Sequence, residues 1–292
     1  MSEESTLLGK PVAYPQVYSP EILVAVPRSL NREIYDIREA NKLFYGFDSW
    51  HAYEVSFLLN NGMPVSGLLK IVYPSTNEYL VESKSLKLYL GSYNMTHLGI
   101  TLSEGIQNFT RQVAFDLSQL LNTEVQVSFF QNPSNQLPFD FEDYKILEYN
   151  IQPENIQFSV YKEHPAYLNE NIRKTPGEIK VGSHLLKSNC KITHQPDWGS
   201  IYIHLKASNL PAENSLLKYI VSLRNENHFH EEICEMTYKR LSDLFQPEIL
   251  MVSCLYTRRG GIDICPQRAN APEHLPLYLP QANRLTQRSF RQ

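Results

Sequence analysis

The chain has 292 residues, with 27 Lys and Arg against 31 Asp and Glu, a formal charge of −4. That balance leaves no basic footprint for a nucleic-acid backbone or an anionic membrane, so a small-molecule substrate is the expected partner, with no nucleic acid and no membrane. Hydrophobic residues make up 42%, including 18 Tyr and 13 Phe; this excludes a disordered chain and supplies apolar surface for two domains of roughly 100 to 200 residues each.

Residues 1–15 show no basic region leading into an apolar run and cleavage site, and no stretch approaches the ~20 apolar residues of a membrane span. A cytoplasmic protein is expected. The four cysteines lack Cys-x-x-Cys spacing, which fits neither a zinc site nor a disulfide framework. His228 and His230 have no acidic or cysteine partner at a ligand spacing, so no metal is expected.

Residues 1–45, with Gly9 and four prolines but no sustained period, read as an extended arm over the body. A strand over 51–59, a turn at Asn60-Asn61-Gly62 and a strand over 67–73 form a hairpin. Two helical stretches follow, 82–93 and 102–121; in the second, Ile106, Phe109, Val113, Leu117 and Leu120 recur at helical spacing. A strand over 124–130 closes this half. Asn132-Pro133-Ser134-Asn135 and Pro138 break the pattern, and 144–161 reads as an irregular or extended crossing segment. Pro176-Gly177-Glu178 opens the second half, which repeats the order: a strand around Cys190, a turn over 195–199, a strand over 200–207, helical stretches over 215–225 and 231–244, and a strand over 248–256. Strands, then helices, then a strand describe an α+β module used twice, over 46–165 and 176–292.

The two halves align. Met63-Pro64-Val65-Ser66-Gly67 answers Gln195-Pro196-Asp197-Trp198-Gly199, and the stretch from Glu82 to Tyr89 answers the weaker one from Glu213 to Tyr219. In this register Leu58 stands where Cys190 does, Val65 where Asp197 does, and Ser103 where His230 does. The first half has lost the reactive pair and the second has degraded the Glu-Ser-Lys-Ser run. A duplication with divided labour follows, in which one site draws on both halves.

Cys190 is the chemical centre of this reading. It sits between Lys187, Asn189 and Lys191, a polar and positive setting of the kind that lowers a thiol pKa, whereas Cys234, Cys254 and Cys265 fall in a helical pattern, an apolar run and beside a proline. Cys190 and Asp197, seven residues apart, read as a nucleophile and its acid. Read singly, His230 and Glu231 are equally a helix start, Lys84 and Lys87 a solvated helix face, and Arg258 and Arg259 a surface turn.

Together, Cys190 with Asp197, Phe229-His230-Glu231, the run Glu82-Ser83-Lys84-Ser85-Leu86-Lys87-Leu88-Tyr89, and Arg258-Arg259-Gly260-Gly261 resemble the NADPH-dependent 7-cyano-7-deazaguanine reductases, the nitrile reductases of queuosine biosynthesis, in their two-module form. The resemblance covers nearly the whole chain. It implies two tandem tunnelling-fold (T-fold) modules, each an antiparallel four-stranded sheet carrying two helices, which associate edge to edge, here as a homodimer. It implies a covalent thioimide on Cys190 and a proton from Asp197, kept protonated by burial beside Trp198. The 7-deazapurine substrate would meet Val81, Glu82, Ser83, Phe229, His230 and Glu231, with Glu231 anchoring the N–H edge of the base. Two NADPH would be consumed per turnover, held by Ser83, Lys84, Arg259 and Gly260; no Gly-x-Gly-x-x-Gly follows a strand, which agrees with this family. Two rivals remain at this point. One is a cysteine hydrolase or amidotransferase using Cys190 and His230, and the other a non-catalytic purine or pterin binder that keeps Glu231.

Overall fold

Alternation along the strands and the 3.6-residue period of the helices divide the apolar side chains between the two faces of one sheet. The computed structural model describes residues 15, 17–132 and 136–292; most of the arm's first sixteen residues and the Pro133-Ser134-Asn135 breaker lie outside them. In chain order the strands are β1 (Ala25–Pro27), β2 (Tyr45–Leu58), β3 (Pro64–Pro74), β4 (Tyr79–Val81), β5 (Gln126–Phe130), β6 (Lys145–Ile146), β7 (Gly177–Ser183), β8 (Lys187–Asn189), β9 (Pro196–Ala207), β10 (Ile249–Tyr256) and β11 (Ile262–Ala269). The helices are α1 (Ser29–Arg32), α2 (Ala40–Leu43), α3 (Ser83–Gly91), α4 (Leu102–Leu121), α5 (Leu147–Asn150), α6 (Glu213–Ser222) and α7 (His230–Phe245).

Among the described residues, nine strands form one sheet in the order β5-β3-β2-β11-β10-β9-β7-β6, with β8 also on β9. Its pairings are antiparallel except the two-residue contact of β6 with β7. The halves join where β11 lies along β2, from Ile262 opposite Ala52 to Ala269 opposite Tyr45. On one face, Trp50, Phe57, Leu69 and Ile71 pack with Leu86, Phe109 and Val113 of α3 and α4, together with Ile262 and Ile264 of β11. Farther along that face, Ile201, Ile203 and Val252 pack with Leu216, Ile220, Ile233 and Met236 of α6 and α7. The alternate residues Tyr202, Met251, Leu255 and Cys265 face the other way, onto Phe141 and Leu279.

Local chemistry sets the element ends. The Thr101 hydroxyl accepts the Glu104 amide at 3.2 Å and caps α4, and Asn122, at φ 49°, ends it in the left-handed conformation that asparagine tolerates. The observed α4 coincides with the expected 102–121, and β10 and α7 fall within a residue of expectation at each end. Elsewhere the structure differs. β2 starts at Tyr45, six residues ahead of the expected strand, and β7 and β11 were not anticipated. The second half supplies four long strands to the sheet, β7, β9, β10 and β11, and the first supplies three, β2, β3 and β5, with the two-residue β6; β4 pairs with β1 of the arm instead. The arm is therefore less extended than its composition suggests, and its Tyr35 and Phe44 enter the second-half core. The C-terminal tail is docked: the Arg291 guanidinium donates to the His184 carbonyl at 2.7 Å, and the Gln292 amide to that of Tyr256 at 3.3 Å. No helix among the described residues is long and apolar enough to cross a membrane.

At the β2–β11 seam lies a buried charge network. Arg268 of β11 spans Asp48 of β2 at 2.9 Å and Glu235 of α7 at 2.8 Å. Arg28 pairs with Asp48 at 2.5 Å, and Arg32 donates to both oxygens of Glu235 at 2.8 and 2.7 Å. Burial alone would push the Glu235 carboxyl up, but the guanidiniums of Arg268, Arg32 and Arg28 outweigh it and hold it at about 2. A carboxylate with a depressed folded pKa contributes stability above its unfolded value, near 4.5, and loses that contribution as pH falls toward 2. Glu235→Gln, which leaves buried guanidiniums without their counter-charge, is expected to lower the unfolding free energy at pH 7 by about 3–5 kcal/mol. The gap to the parent should narrow below about pH 4.5, as read by urea denaturation from pH 7 to 3.

Candidate active site

On the helical face, where the halves meet, a cavity of about 390 Å³ gathers residues from four places. Val81, Glu82, Ser83 and Lys84 come from the β4–α3 junction, and Cys190 and Asp197 from the β8–β9 hairpin. Phe229, His230 and Glu231 come from the start of α7, and Arg259 and Gly260 from the β10–β11 turn. Every site candidate singled out in the sequence lines this one space.

The hairpin places the thiol. β8 pairs with β9 so that Ser188 stands opposite Asp197 and Asn189 opposite Pro196. The loop between them closes through the Cys190 amide, which donates to the Gln195 carbonyl at 2.8 Å, and through His194 at φ 55°. Asn189 also exchanges backbone bonds with the α6–α7 connection: its amide donates to Glu226 at 2.7 Å and its carbonyl accepts from His228 at 3.0 Å. That clip sets the start of α7 beside the thiol. Cys190 is half-buried, and the other three cysteines are buried, as their sequence positions suggested. The flanking lysines are engaged elsewhere, Lys187 with the Asn189 side chain and the Arg224 carbonyl, and Lys191 with Glu232 at 2.9 Å.

Asp197 corrects one expectation. Burial does raise its proton affinity, but His230 Nε2 at 3.4 Å and Arg259 Nη1 at 2.8 Å from its two oxygens outweigh that, and the carboxyl is held below its ordinary value. Its surroundings in this ligand-free chain therefore favour the ionised form over the protonated one. Trp198 is not its cover either: strand alternation turns that indole to the other side, between the guanidiniums of Arg224 and Arg291. The Arg259 guanidinium reaches farther into the nucleophile loop, donating from Nη2 to the Thr193 hydroxyl at 2.7 Å and to the Gln195 side-chain carbonyl. His230 is stacked on Tyr256 at 3.8 Å and 11°, so its ring is fixed in plane beside Asp197. No hydrogen bond joins it to the Cys190 thiol among the described residues.

Glu231 has the opposite environment. It is 2% exposed and its Oε1 has no hydrogen-bond partner. Burial, then the nearby charge of Asp48, push its carboxyl up to about 8 against the pull of Arg28 and Arg268. A buried, unpaired acceptor in a cavity wall is suited to a ligand that brings donors of its own. The next residue, Glu232, does the structural work at this helix start: its Oε2 accepts from the Phe229 amide at 3.1 Å and from His228 Nδ1 at 3.0 Å. Phe229 lies in the wall with Lys191 over its ring at 5.7 Å.

At the opposite wall, the Glu82 carboxylate is the N-cap of α3, accepting from the amides of Lys84 at 3.0 Å and Ser85 at 2.7 Å. Its substrate contact, if made, is secondary to that cap. Ser83 and Lys84 are left toward the opening, with Lys87 one turn on. Gly260, at φ 60°, permits the tight turn after β10, and a Cβ there would come within 3.2 Å of Lys87 Nζ. The rim thus brings two lysines, an arginine and a hydroxyl together, which fits the phosphates of a dinucleotide cofactor. Sequence reasoning missed Trp50, Ile262 and Ile264, which supply the apolar wall, and Thr193 and Gln195, which hold Arg259. The last two lie in the Cys190–Asp197 stretch, but their contact with a residue over sixty positions away left no local signal.

Comparison with known proteins agrees with this assembly. Residues 14–129 match the family described as "Nitrile reductase, 7-cyano-7-deazaguanine-reductase N-term", and residues 196–274 match that described as "QueF-like protein". An NADPH-dependent 7-cyano-7-deazaguanine reductase of Acinetobacter baumannii (strain ACICU) is 37% identical over 278 residues, covering 94% of this chain and 97% of the relative. That of strain SDF is 37% identical over 281 residues, with the same coverage. Among solved structures, the apo archaeosine synthase QueF-Like aligns at 15% identity over 33% of this chain and 95% of its own, with a TM-score of 0.29, too low to inform the fold. With that identity extending over nearly the full length, the chain belongs to the NADPH-dependent 7-cyano-7-deazaguanine reductase family.

Proposed function

We propose that this chain reduces the nitrile of 7-cyano-7-deazaguanine to the amine of 7-aminomethyl-7-deazaguanine with NADPH, in queuosine biosynthesis. It acts as a cytoplasmic homodimer of two tandem tunnelling-fold modules, 46–165 and 176–292. The observation that carries this reading is the convergence of Cys190, Asp197, His230, Glu231 and the cationic rim on one cavity at the seam. The modules are supported by the repeated order of hairpin, two helices and strand, and the dimer by sheet edges that invite pairing, β5 at one end and β7, covered by β6 only at Val181 and Gly182, at the other.

In the reaction, the Cys190 sulfur bonds to the nitrile carbon while the nitrogen takes a proton from the Asp197–His230 pair, which the thiol's own proton replaces. His230 Nε2 lies 3.4 Å from the Asp197 carboxylate, so the two side chains are placed to hold and pass one proton between them. When bound, NADPH supplies hydride, once to the thioimide carbon and once to the imine carbon, so two are consumed per amine formed. Between those events the C–S bond breaks and Cys190 returns as the thiol. Trp50, Ile262 and Ile264 keep the reactive imine in an apolar space. Glu231 accepts the two parallel N–H bonds of the base, a role its unpartnered oxygen suits and one that requires it to ionise on binding.

Two outcomes test these roles. Purified protein with 7-cyano-7-deazaguanine is expected to oxidise two NADPH per amine, followed by absorbance, and to show a mass adduct on Cys190 when NADPH is withheld. Cys190→Ala should bind substrate yet give neither signal, and continued NADPH oxidation by that variant would refute the covalent route. Asp197→Asn should slow turnover about 10²–10⁴-fold.

Glu231 gives a sharper test through pH. Between the unfolded value near 4.5 and about 8, the folded chain holds a proton on Glu231 that the unfolded chain has released, so this group lowers stability as pH rises across that window. Glu231→Gln is expected to stabilise the ligand-free protein at pH 8, by about 1–3 kcal/mol, with the gain shrinking toward pH 5. The same variant should weaken substrate binding by 10-fold or more. Titration calorimetry and thermal unfolding read the two effects, and loss of both stability and affinity would show that Glu231 is structural instead.

A further inference from the structure

The Arg259 guanidinium has two claims on it. The cofactor reading above needs it for a phosphate, but in the ligand-free chain it is already committed. Nη1 donates to Asp197, and both hydrogens of Nη2 are taken, by the Thr193 hydroxyl and the Gln195 side-chain carbonyl. A guanidinium grips a phosphate with two parallel N–H bonds, either Nη1 with Nη2 or Nε with Nη2. Both grips pass through Nη2, so neither is open while the Thr193 and Gln195 bonds stand. The Arg259 side chain is 37% exposed, so a ligand can reach it from the opening, while the Asp197 side chain is 5% exposed.

Resting on that cofactor reading, we propose that Arg259 is a shared ligand, held by Asp197, Thr193 and Gln195 in the free chain and handed over to the extra phosphate that distinguishes NADPH when it binds. Cofactor arrival thereby removes the cation from the acid. The groups that then face Asp197 are His230 from α7, Lys187 from β8 and the Tyr256 phenol from β10. Of these only His230 lies within ion-pairing distance, at 3.4 Å. With the guanidinium gone, one opposing force against burial is lost, and the carboxylate's affinity for a proton rises. The exchange also frees the side chains of Thr193 and Gln195 inside the loop that Cys190 begins. Arg259 is thus a positioning residue whose state reports whether a hydride donor is present, so that the acid is at its strongest hold on a proton only in the loaded site.

The exchange makes a counter-intuitive demand: removing a partner of Arg259 must tighten cofactor binding, because less has to be broken. NADP⁺ binding is measured by calorimetry on the full-length protein without substrate, for the parent, Asp197→Asn and Thr193→Val. Asp197→Asn should bind NADP⁺ about 5-fold or more tightly than the parent, in the range of ordinary site-to-site coupling. Thr193→Val, which leaves the acid in place, should tighten it about 2-fold or more. NAD⁺, which lacks the extra phosphate, should be bound equally by all three, and Arg259→Ala should lose the preference for NADP⁺ over NAD⁺. Unchanged or weaker NADP⁺ binding in both Asp197→Asn and Thr193→Val, or equal tightening for NAD⁺, overturns the exchange while leaving the cofactor assignment intact. A parent protein that forms the Cys190 adduct but binds no NADP⁺ overturns the cofactor assignment and the exchange together.

Discussion

The buried bridge from Asp48 through Arg268 to Glu235 is the constraint on which the site depends. Asp48 belongs to the first half, Arg268 and Glu235 to the second, and both ends of the bridge are shorter than 3 Å with almost no solvent contact. Charges so placed tolerate little displacement, since each loses its compensation if a partner moves away. They therefore fix α7 against the β2–β11 seam, and α7 begins with the very residues that enter the cavity. Arg28 and Arg32 extend the same network to the arm, whose β1 pairs with β4 immediately before Glu82. One electrostatic clamp thereby positions both walls of the site.

The site holds two carboxyls in opposite surroundings. Burial, then the like charge of Asp48, push Glu231 up against the pull of Arg28 and Arg268, whereas His230 and Arg259 outweigh the burial of Asp197 and hold it down. Two carboxylates a short distance apart in function thus sit on opposite sides of neutrality for identifiable reasons. The one without a partner awaits the donors of a base, and the one with partners stands beside the thiol.

How much of this was legible in the sequence follows from the range of the interactions involved. α4 was readable because Phe109, Val113 and Leu117 form a single apolar stripe against the first-half core, and its ends are marked by Thr101 and Asn122. β11 was not, because Ile-Asp-Ile-Cys-Pro-Gln-Arg-Ala is buried along its whole length and the charges of Asp263 and Arg268 are met by His51, Asp48 and Glu235, far away in sequence. No period of two separates inside from outside in such a strand. The site residues were identifiable as types and spacings, since Cys190, Asp197 and the Phe229-His230-Glu231 run each lie within a few positions of one another. The environment of Asp197 was not, because its carboxyl is pulled down by His230 and Arg259, thirty-three and sixty-two positions away. Likewise Glu82 was seen as a site residue but not as the cap of α3, because glutamate is not among the residues that favour that position.

The seam between β2 and β11 also bears on how the molecule comes into being. β11 is made long after β2, the first long strand of the sheet, yet pairs with it across more than two hundred positions. Until it emerges, β2 has a vacant hydrogen-bonding edge and the cavity lacks Ile262, Ile264 and the arginine beside the acid. A nascent chain that stops short of β11 carries the thiol without the wall that encloses a substrate, so the reactive centre matures only once β11 has been made. Such distant pairing is also slow to form, which makes the exposed edge of β2 the place where a chaperone or a stray strand would first compete with the native fold.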